Sequence, residues 1–364
     1  MIGYLHLSNG LRIKGKLIGL PKPTRGELVF TTGMVGYTQS LTDPSFLGQI
    51  LTFTYPLMGN YGVPDLPEDQ PGPEFESKKI HPAAVIVSHH SEKAFHWRCK
   101  RTLDQWLYQQ EIPGLAEVDT RELAQMIRDS SNLIGILTPE ERLSISSQNS
   151  LRYQDDLVLP QVSTSTRKIL GQGPFQRTRI AVVDCGVKWN IVRHLLKMEC
   201  EVELLPWDTD LSTVDCDGWL ISNGPGNPAN TGNLVHQART LFAQDKPILG
   251  ICLGFQIMGL AAGALSKKLE FGHRGLNQPV REVGTSRGFI TSQNHGFTIL
   301  ENSLPGDWEP WFRHLNDHTL EGIKHISKPF RGVQFHPEAS AGPQDTSWII
   351  QDFVQTCRDK WGSV

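Results

Sequence analysis

The run Pro247 to Gly259, "PILGICLGFQIMG", changes from strand-like to helix-like at one cysteine set between two glycines. Gly250-x-Cys252-x-Gly254 has the spacing of a sharp strand-to-helix turn, in which flanking glycines let the central side chain stand at the edge of an α/β sheet. A thiolate in that place gains from the amino end of the following helix and its unsatisfied backbone N–H groups. A lone cysteine in a tight turn is ordinarily a buried, inert one. The glycine bracket turns the expectation towards a nucleophile.

The surrounding pattern supplies the sheet. After about Arg177, strand and helix candidates alternate: "RIAVVDC", helix "WNIVRHLLKME", "EVELLPW", "GWLISNG", helix "LVHQARTLFAQD", "PILGIC" and helix "GFQIMGLAAGA". Strands near "GFTIL" and "FRGVQFHPE" and a last helix, "TSWIIQDFVQTCRDKW", complete the series. Alternation of this kind predicts an α/β domain with a mixed, largely parallel sheet and helices on both faces. From Met1 to about Leu137 the texture is β-rich and turn-rich, with "LRIKGKLIGL", "GELVFTTG", "GQILTFTYP" and "AAVIVSH" as strands. Two helices are expected there, "KAFHWRCKRTLDQWLYQQ" and "DTRELAQMIRDS", the second opening with Asp119 as N-cap and Glu122 three residues on. The polar, Ser-rich stretch between these halves reads as a linker. The 364 residues are therefore expected to form a smaller β-rich N-terminal domain at 1–140, a linker at 141–177 and the α/β domain at 178–364.

A net charge of −3 leaves no electrostatic footprint for nucleic acid or an anionic membrane, so a small substrate is expected. No segment carries enough consecutive apolar residues to span a bilayer, and the first residues lack the apolar core of a signal peptide, which predicts a cytosolic protein. The six cysteines, Cys99, Cys185, Cys200, Cys216, Cys252 and Cys357, form no CxxC pair; reduced thiols are expected, and no metal-ligand spacing is present.

Active sites of open α/β sheets lie at the carboxyl ends of the strands, so the ends of "PILGIC", "GWLISNG" and "GVQFHPE" are expected to converge. In His336-Pro337-Glu338, residues two apart share a face of an extended chain, and Glu338 can orient the His336 imidazole. A cysteine, a histidine that takes and returns its proton, and a carboxylate that fixes the tautomer make a nucleophilic triad. The loop "SNGPGNPANTG" superficially fits a dinucleotide fingerprint through Gly224, Gly226 and Ala229. It does not follow the first strand of its domain, and Pro225 and Pro228 remove amide donors to phosphate. A Gly backbone N–H from this loop, opposite that of Leu253, better suits an oxyanion hole.

With these residues in place, "SNGPGNP", "LGICLGFQ", "SQNHGF" and "VQFHPEA" resemble the class I glutamine amidotransferase domain. "GELVFTTGMVGYTQSLTDPSFLGQILTFTYPLMGNYG", "AEVDTRELAQMIRD" and "FGHRGLNQPV" are similar to the glutaminase (small) subunit of carbamoyl-phosphate synthetase, over nearly the whole chain. Carried over residue by residue, the resemblance implies that Cys252 attacks the carboxamide of glutamine, with His336 as base and acid and Glu338 as its orienter. It implies that Leu253 and Gly224 hold the oxyanion, and that Ser45, Gly226, Gln256, Asn294, Gly296 and Phe297 bind L-glutamine. No role falls to His295, His89 or His90, which are expected to be structural or solvent-facing. Phe255 stands where the family usually has histidine, and is expected to flank the pocket as an apolar side chain.

The chain has no G-x-x-x-x-G-K-[ST] phosphate loop, so no cofactor is expected on it. Carbamoyl phosphate formation consumes ATP, and the resemblance implies a large ATP-binding, Mg-dependent synthetase partner that receives ammonia through a shielded path. Arginine and pyrimidine synthesis both remain open as the pathway served. Two other classes are kept beside the enzyme: a catalytically silent assembly subunit, which Phe255 would suit, and a stand-alone cysteine hydrolase, which would not account for the first domain.

Overall fold

The computed structural model describes residues 1–67, 70–130, 132–144, 156–173 and 178–361. The chain divides into two compact units, 1–154 and 155–364. Of the span expected to be a linker, 145–155 and 174–177 lie outside the described residues.

The first unit is a closed barrel of seven strands: β1 (Ile2–Leu7), β2 (Arg12–Gly19), β3 (Thr24–Thr31), β4 (Ile50–Met58), β5 (Ala84–His90), β6 (Pro113–Ala116) and β7 (Ile134–Thr138), in the order β1-β2-β6-β5-β4-β3-β7. Strands β3, β4, β5 and β6 are mutually parallel, and the ring closes through the antiparallel pairs β3–β7, β7–β1, β1–β2 and β2–β6. Closure leaves no free sheet edge. Among the described residues three helices accompany the barrel: α1 (Tyr37–Thr42), α2 (Leu103–Gln109) and α3 (Thr120–Asp129). Asp119 caps α3 as expected, accepting from the Glu122 amide at 2.9 Å. The other expected helix is much shorter than its pattern. Residues 93–102 are not helical, because Thr102 and Gln105 form a reciprocal capping box that starts α2 at Leu103, and Arg101 is bridged to Val63 instead.

The second unit is a ten-stranded sheet in the order β14-β13-β15-β16-β17-β12-β11-β9-β10-β8. Its strands are β8 (Lys168–Leu170), β9 (Arg179–Asp184), β10 (Glu201–Pro206), β11 (Gly218–Ile221), β12 (Ile248–Ile251), β13 (Ser266–Glu282), β14 (Gly288–Ile299), β15 (Trp308–His314), β16 (Leu320–His325) and β17 (Phe330–Val333). The five at the centre, β17-β12-β11-β9-β10, are mutually parallel, and the flanking strands pair antiparallel. Alternate residues of the central strands face opposite cores. Ala181, Val183, Trp219 and Ile221 meet α5 (Leu234–Leu241) and α6 (Leu253–Ala262) on one side. Ile180, Val182, Leu220 and Leu249 meet α4 (Trp189–Lys197) and α7 (Trp348–Trp361) on the other. This is the period-2 alternation of a sheet covered on both faces.

Part of the expected linker is packed. Leu159 is 1% exposed within the α5/α6-side core, and β8 extends the sheet alongside β10. Two of its hydroxyl residues serve backbone contacts: the Ser163 hydroxyl accepts from Trp207 N at 3.0 Å, and the Thr164 amide donates to Asp184 at 2.7 Å. Side chains that make such bonds look, in sequence, like those of a solvated linker. No helix among the described residues is long and apolar enough to cross a membrane.

Candidate active site

The ends of β11, β12 and β17 do converge, since these strands are parallel neighbours in the sheet. Cys252 caps α6 with φ 54° and ψ −103°, a left-handed conformation that a β-carbon makes costly and that marks the strained turn anticipated from the sequence. Its amide donates to Val333 O at 2.8 Å, tying the elbow to β17. The glycines are a steric necessity. A β-carbon on Gly254 would lie 2.0 Å from Ile221 O, and one on Gly250 would lie 2.6 Å from Gly254 O. Cys252 itself is 2% exposed; its Sγ lies 3.7 Å from Asn294 O, and Gln334 Nε2 approaches the sulfur at 3.7 Å.

The loop after β11 packs against the elbow. Gly254 N donates to Ser222 O at 3.1 Å, and a β-carbon on Gly224 would strike Cys185 O at 1.9 Å and approach the Leu253 side chain at 3.0 Å. Gly224 and Leu253 are therefore close neighbours, as an oxyanion hole built from their amides requires. Leu253 N is the first amide of α6, one of the donors that a helix leaves without an intrahelical acceptor. Gly226, two residues along the same loop, has φ 94° and faces Val158.

The loop that follows β17 carries His336 and Glu338. His336 Nδ1 lies 2.6 Å from Glu338 Oε1, with side chains 2% and 0% exposed. His336 N donates to Ser292 O at 2.9 Å, which fixes the backbone. Burial opposes a charged imidazole here, but the Glu338 carboxylate outweighs it, with Cys252 adding in the same direction, and lifts His336 to about 10. The Cys252 thiol is thus within electrostatic reach of the imidazole. His336 Nε2 is buried and meets no hydrogen-bond partner of ordinary geometry among the described residues, with the Cys252 thiol as the side chain that interacts with the imidazole besides Glu338 and Lys188. For Glu338, burial again favours the neutral form, and Lys188 followed by His336 overturns this and brings the carboxyl down to about 2.

Lys188 is the functional residue that the sequence reading missed. Its Nζ lies 3.0 Å from Glu338 Oε1 and 2.6 Å from Ala339 O, with the side chain 5% exposed. Asn190 Nδ2 donates to Glu338 O, and Lys188 N to Asn223 Oδ1 at 2.9 Å, so the loop after β9 supports both the triad and the β11 loop. The signal was available: Lys188 follows the carboxyl end of a central strand, the same place that singled out Cys252 and His336.

Gln256 is 3% exposed and donates to Phe297 O at 2.8 Å and Gln334 Oε1 at 2.9 Å. Asn294, Gly296 and Phe297 lie together on β14, opposite Arg274 and Lys268 of β13. The second unit thus brings Cys252, Leu253, Gly224, Gln256, Asn294, His336 and Glu338 into one neighbourhood. Ser45 belongs to the first unit, where it sits in a 3₁₀ turn, 8% exposed, its amide donating to Asp43 Oδ1 at 2.9 Å. Phe255, expected to flank the pocket, faces the core. It is 0% exposed in the core and packs against Gly332 of β17, where a β-carbon would come within 3.2 Å of its ring. The reason is helical phase: Phe255 and Gln256, one position apart, point to different sides of α6. His295 is buried at 5% exposure, whereas His89 is exposed and His90 half-buried.

Residues 181–356 match the family model for glutamine amidotransferase class-I, and residues 5–137 that for the carbamoyl-phosphate synthase small chain, CPSase domain. The chain is 41% identical over 362 residues to the carbamoyl phosphate synthase small chain of Pyrococcus furiosus, covering 97% of each. It is 43% identical to part of the multifunctional protein CAD of Squalus acanthias, with 98% of this chain aligned to 16% of that protein. It is 41% identical to part of the mitochondrial carbamoyl-phosphate synthase [ammonia] of Rattus norvegicus, with 99% of this chain aligned to 24% of that protein. The chain thus spans a quarter or less of those two longer relatives. Match to both domain models in order, and to a separate small chain over almost its full length, place the chain in the carbamoyl-phosphate synthase small-chain family.

Proposed function

We propose that the chain hydrolyses L-glutamine and supplies the ammonia to an ATP-using synthetase polypeptide that makes carbamoyl phosphate. The observation that carries this reading is the buried Glu338–His336 pair, 2.6 Å apart, beside a cysteine held at a strained elbow on the adjacent strand. Cys252 passes its proton to His336 Nε2 as its sulfur attacks the carboxamide carbon, and the oxygen that gains charge is received by the Leu253 and Gly224 amides. His336 Nε2 hands a proton to the departing nitrogen, ammonia leaves and a glutamyl thioester remains. The same nitrogen then takes a proton from water as it adds to the thioester, and glutamate departs as the thiolate is restored. Glu338, fixed by Lys188, keeps the Nδ1 proton of His336 in place throughout. Gln256, Asn294, Gly296, Phe297 and Ser45 are proposed to bind the amino-acid head of the substrate.

ATP and Mg belong in this reading to the partner, whether a separate large chain or the remainder of a longer polypeptide. Ammonia in water at neutral pH is mostly protonated and unreactive, which favours direct, shielded transfer. The test is a paired assay: ammonia release and alkylation of Cys252 by a glutamine-like electrophile, then carbamoyl phosphate synthesis with the partner on glutamine or on ammonium salt. Absence of both alkylation and ammonia release, with ammonium-dependent synthesis intact, would instead support an assembly subunit. That second reading draws on the rat relative, whose name gives ammonia as its nitrogen source.

A further inference from the structure

A chain of buried polar contacts runs from the far side of the β13–β14 hairpin to the nucleophile. His273, 5% exposed, lies opposite His295 in the hairpin register. Its Nε2 is 2.7 Å from Asp317 Oδ2 and its Nδ1 3.2 Å from Glu321 Oε1. Burial disfavours charge on this imidazole, yet the two carboxylates outweigh burial and raise it to about 9, so both nitrogens donate at neutral pH. The second oxygen of Glu321, a residue 0% exposed, accepts from Gln293 Nε2 at 2.9 Å. Gln293 Oε1 lies 3.1 Å from His295 Nε2, and His295 Nδ1 lies 2.8 Å from Phe297 O. Both oxygens facing His295 can only accept, and burial keeps this imidazole neutral, so its single N–H serves either Gln293 or Phe297. The same Phe297 carbonyl receives Gln256 Nε2 at 2.8 Å; Gln256 meets Gln334 Oε1 at 2.9 Å, and Gln334 Nε2 approaches Cys252 Sγ at 3.7 Å.

We propose that His273 is a positioning residue for glutamine: held between Asp317 and Glu321, it keeps Glu321, Gln293 and His295 in the one arrangement that fixes the Phe297 carbonyl and, through it, the Gln256 side chain at the glutamine pocket. The inference rests on the glutaminase reading above. Its physical basis is that a buried network of linked hydrogen bonds defines one geometry only while every member has its partner. Burial pushes the Glu321 carboxyl up and His273 opposes that shift, so removing His273 leaves the Glu321 carboxyl buried beside Gln293 and His295 without its cationic neighbour. Glu321 would then turn towards His295 Nε2, already only 3.7 Å from Oε1, hold the single His295 proton on that nitrogen and leave the Phe297 carbonyl without its imidazole donor. His273, His295 and Glu321 also bring one potential ligand atom each within 4.8 Å, so the cluster has a rival use as a cation site.

The test compares the full chain with His273→Ala and His273→Asn, whose amide nitrogen reproduces the Nδ1 contact with Glu321. Three quantities are read: glutamine KM and kcat from ammonia release, KI and maximal rate for Cys252 alkylation by 6-diazo-5-oxo-L-norleucine, and the rate of alkylation by iodoacetamide, which needs no glutamine pocket. For His273→Ala, KM and KI rise at least tenfold while kcat, the maximal alkylation rate and the iodoacetamide rate stay within threefold; His273→Asn recovers most of the loss. A fall in kcat at constant KM, a parallel fall in the iodoacetamide rate, or no recovery with asparagine overturns the proposal. So does purification of the wild-type chain with one equivalent of metal whose removal by chelator reproduces the alanine phenotype. If alanine does not yield folded protein, His273→Gln, which keeps reach to Asp317 but loses Glu321, must show the same rise in KM and KI. A wild-type chain that neither releases ammonia nor reacts with the diazo compound defeats the glutaminase reading itself, a result separable from any difference between variants.

Discussion

Lys188→Met removes the larger of the two positive influences on the triad carboxylate, the other being His336, and its consequences follow from the geometry. Lys188 Nζ contacts Glu338 Oε1 at 3.0 Å and Ala339 O at 2.6 Å, and methionine keeps the length of the apolar stem while deleting the ammonium. Lys188 is the largest influence favouring the ionised Glu338 against burial, so its loss raises the Glu338 carboxyl pKa and weakens the hold on His336. Breaking a buried ion pair from one side costs about 3–5 kcal/mol. For a unit of this size, where each kcal/mol moves the midpoint by about 2–4 °C, thermal unfolding should shift down by roughly 6–20 °C. Loss of a hydrogen bond to a charged group, about 1.5–3 kcal/mol, should lower kcat/KM for glutamine by about one to two orders of magnitude. Calorimetry and ammonia release measure the two effects. A variant within about 1 kcal/mol of wild type in stability and within threefold in kcat/KM would show that Glu338 needs no cation, and the reasoning on the triad would fall.

Cys252→Ser should abolish glutamine-dependent synthesis with the partner yet leave ammonium-dependent synthesis intact; survival of the former, or loss of the latter, refutes the assignment of the nucleophile or the division of labour. His336, raised to about 10 from 6.5, contributes stability that is fully present below pH 6.5 and is lost as pH rises through 10. Glu338→Gln should flatten that alkaline decline in chemical denaturation, and an unchanged slope counts against the pair. Phe255→His puts a polar ring into the core against Gly332 and should cost about 2–4 kcal/mol. A variant as stable as wild type would contradict that packing, and a rise from undetectable to normal glutaminase activity would identify the natural chain as a silent subunit. Gly254→Ala, which sets a β-carbon 2.0 Å from Ile221 O, should yield little folded protein or a displaced elbow with no alkylation at Cys252; normal alkylation would argue against the elbow.

Local pattern and local chemistry made much of this protein legible in its sequence. The strand-to-helix switch, the glycine bracket and the two-residue spacing of His336 and Glu338 are short-range features, and backbone sterics or strand geometry dictate their outcome whatever surrounds them. The alternation of the second half likewise fixes a sheet covered on both faces, because each strand must bury two sides. Other outcomes were decided only by contacts between distant segments. Closure of the first unit into a barrel depends on β1 meeting β7, pairs more than a hundred residues apart that no periodicity encodes. Residues 93–102 lost their helix to a bridge with Val63, and in the stretch polar enough to suggest a linker the Ser163 hydroxyl accepts the Trp207 amide while the Thr164 amide donates to the Asp184 carboxylate. The Lys188 salt bridge to Glu338 spans 150 positions, and the charge state of both groups depends on their burial together. Phe255 carries the same lesson in one residue: the sequence places it beside Gln256, but helical phase turns Phe255 against Gly332 and Gln256 towards Phe297 and Gln334.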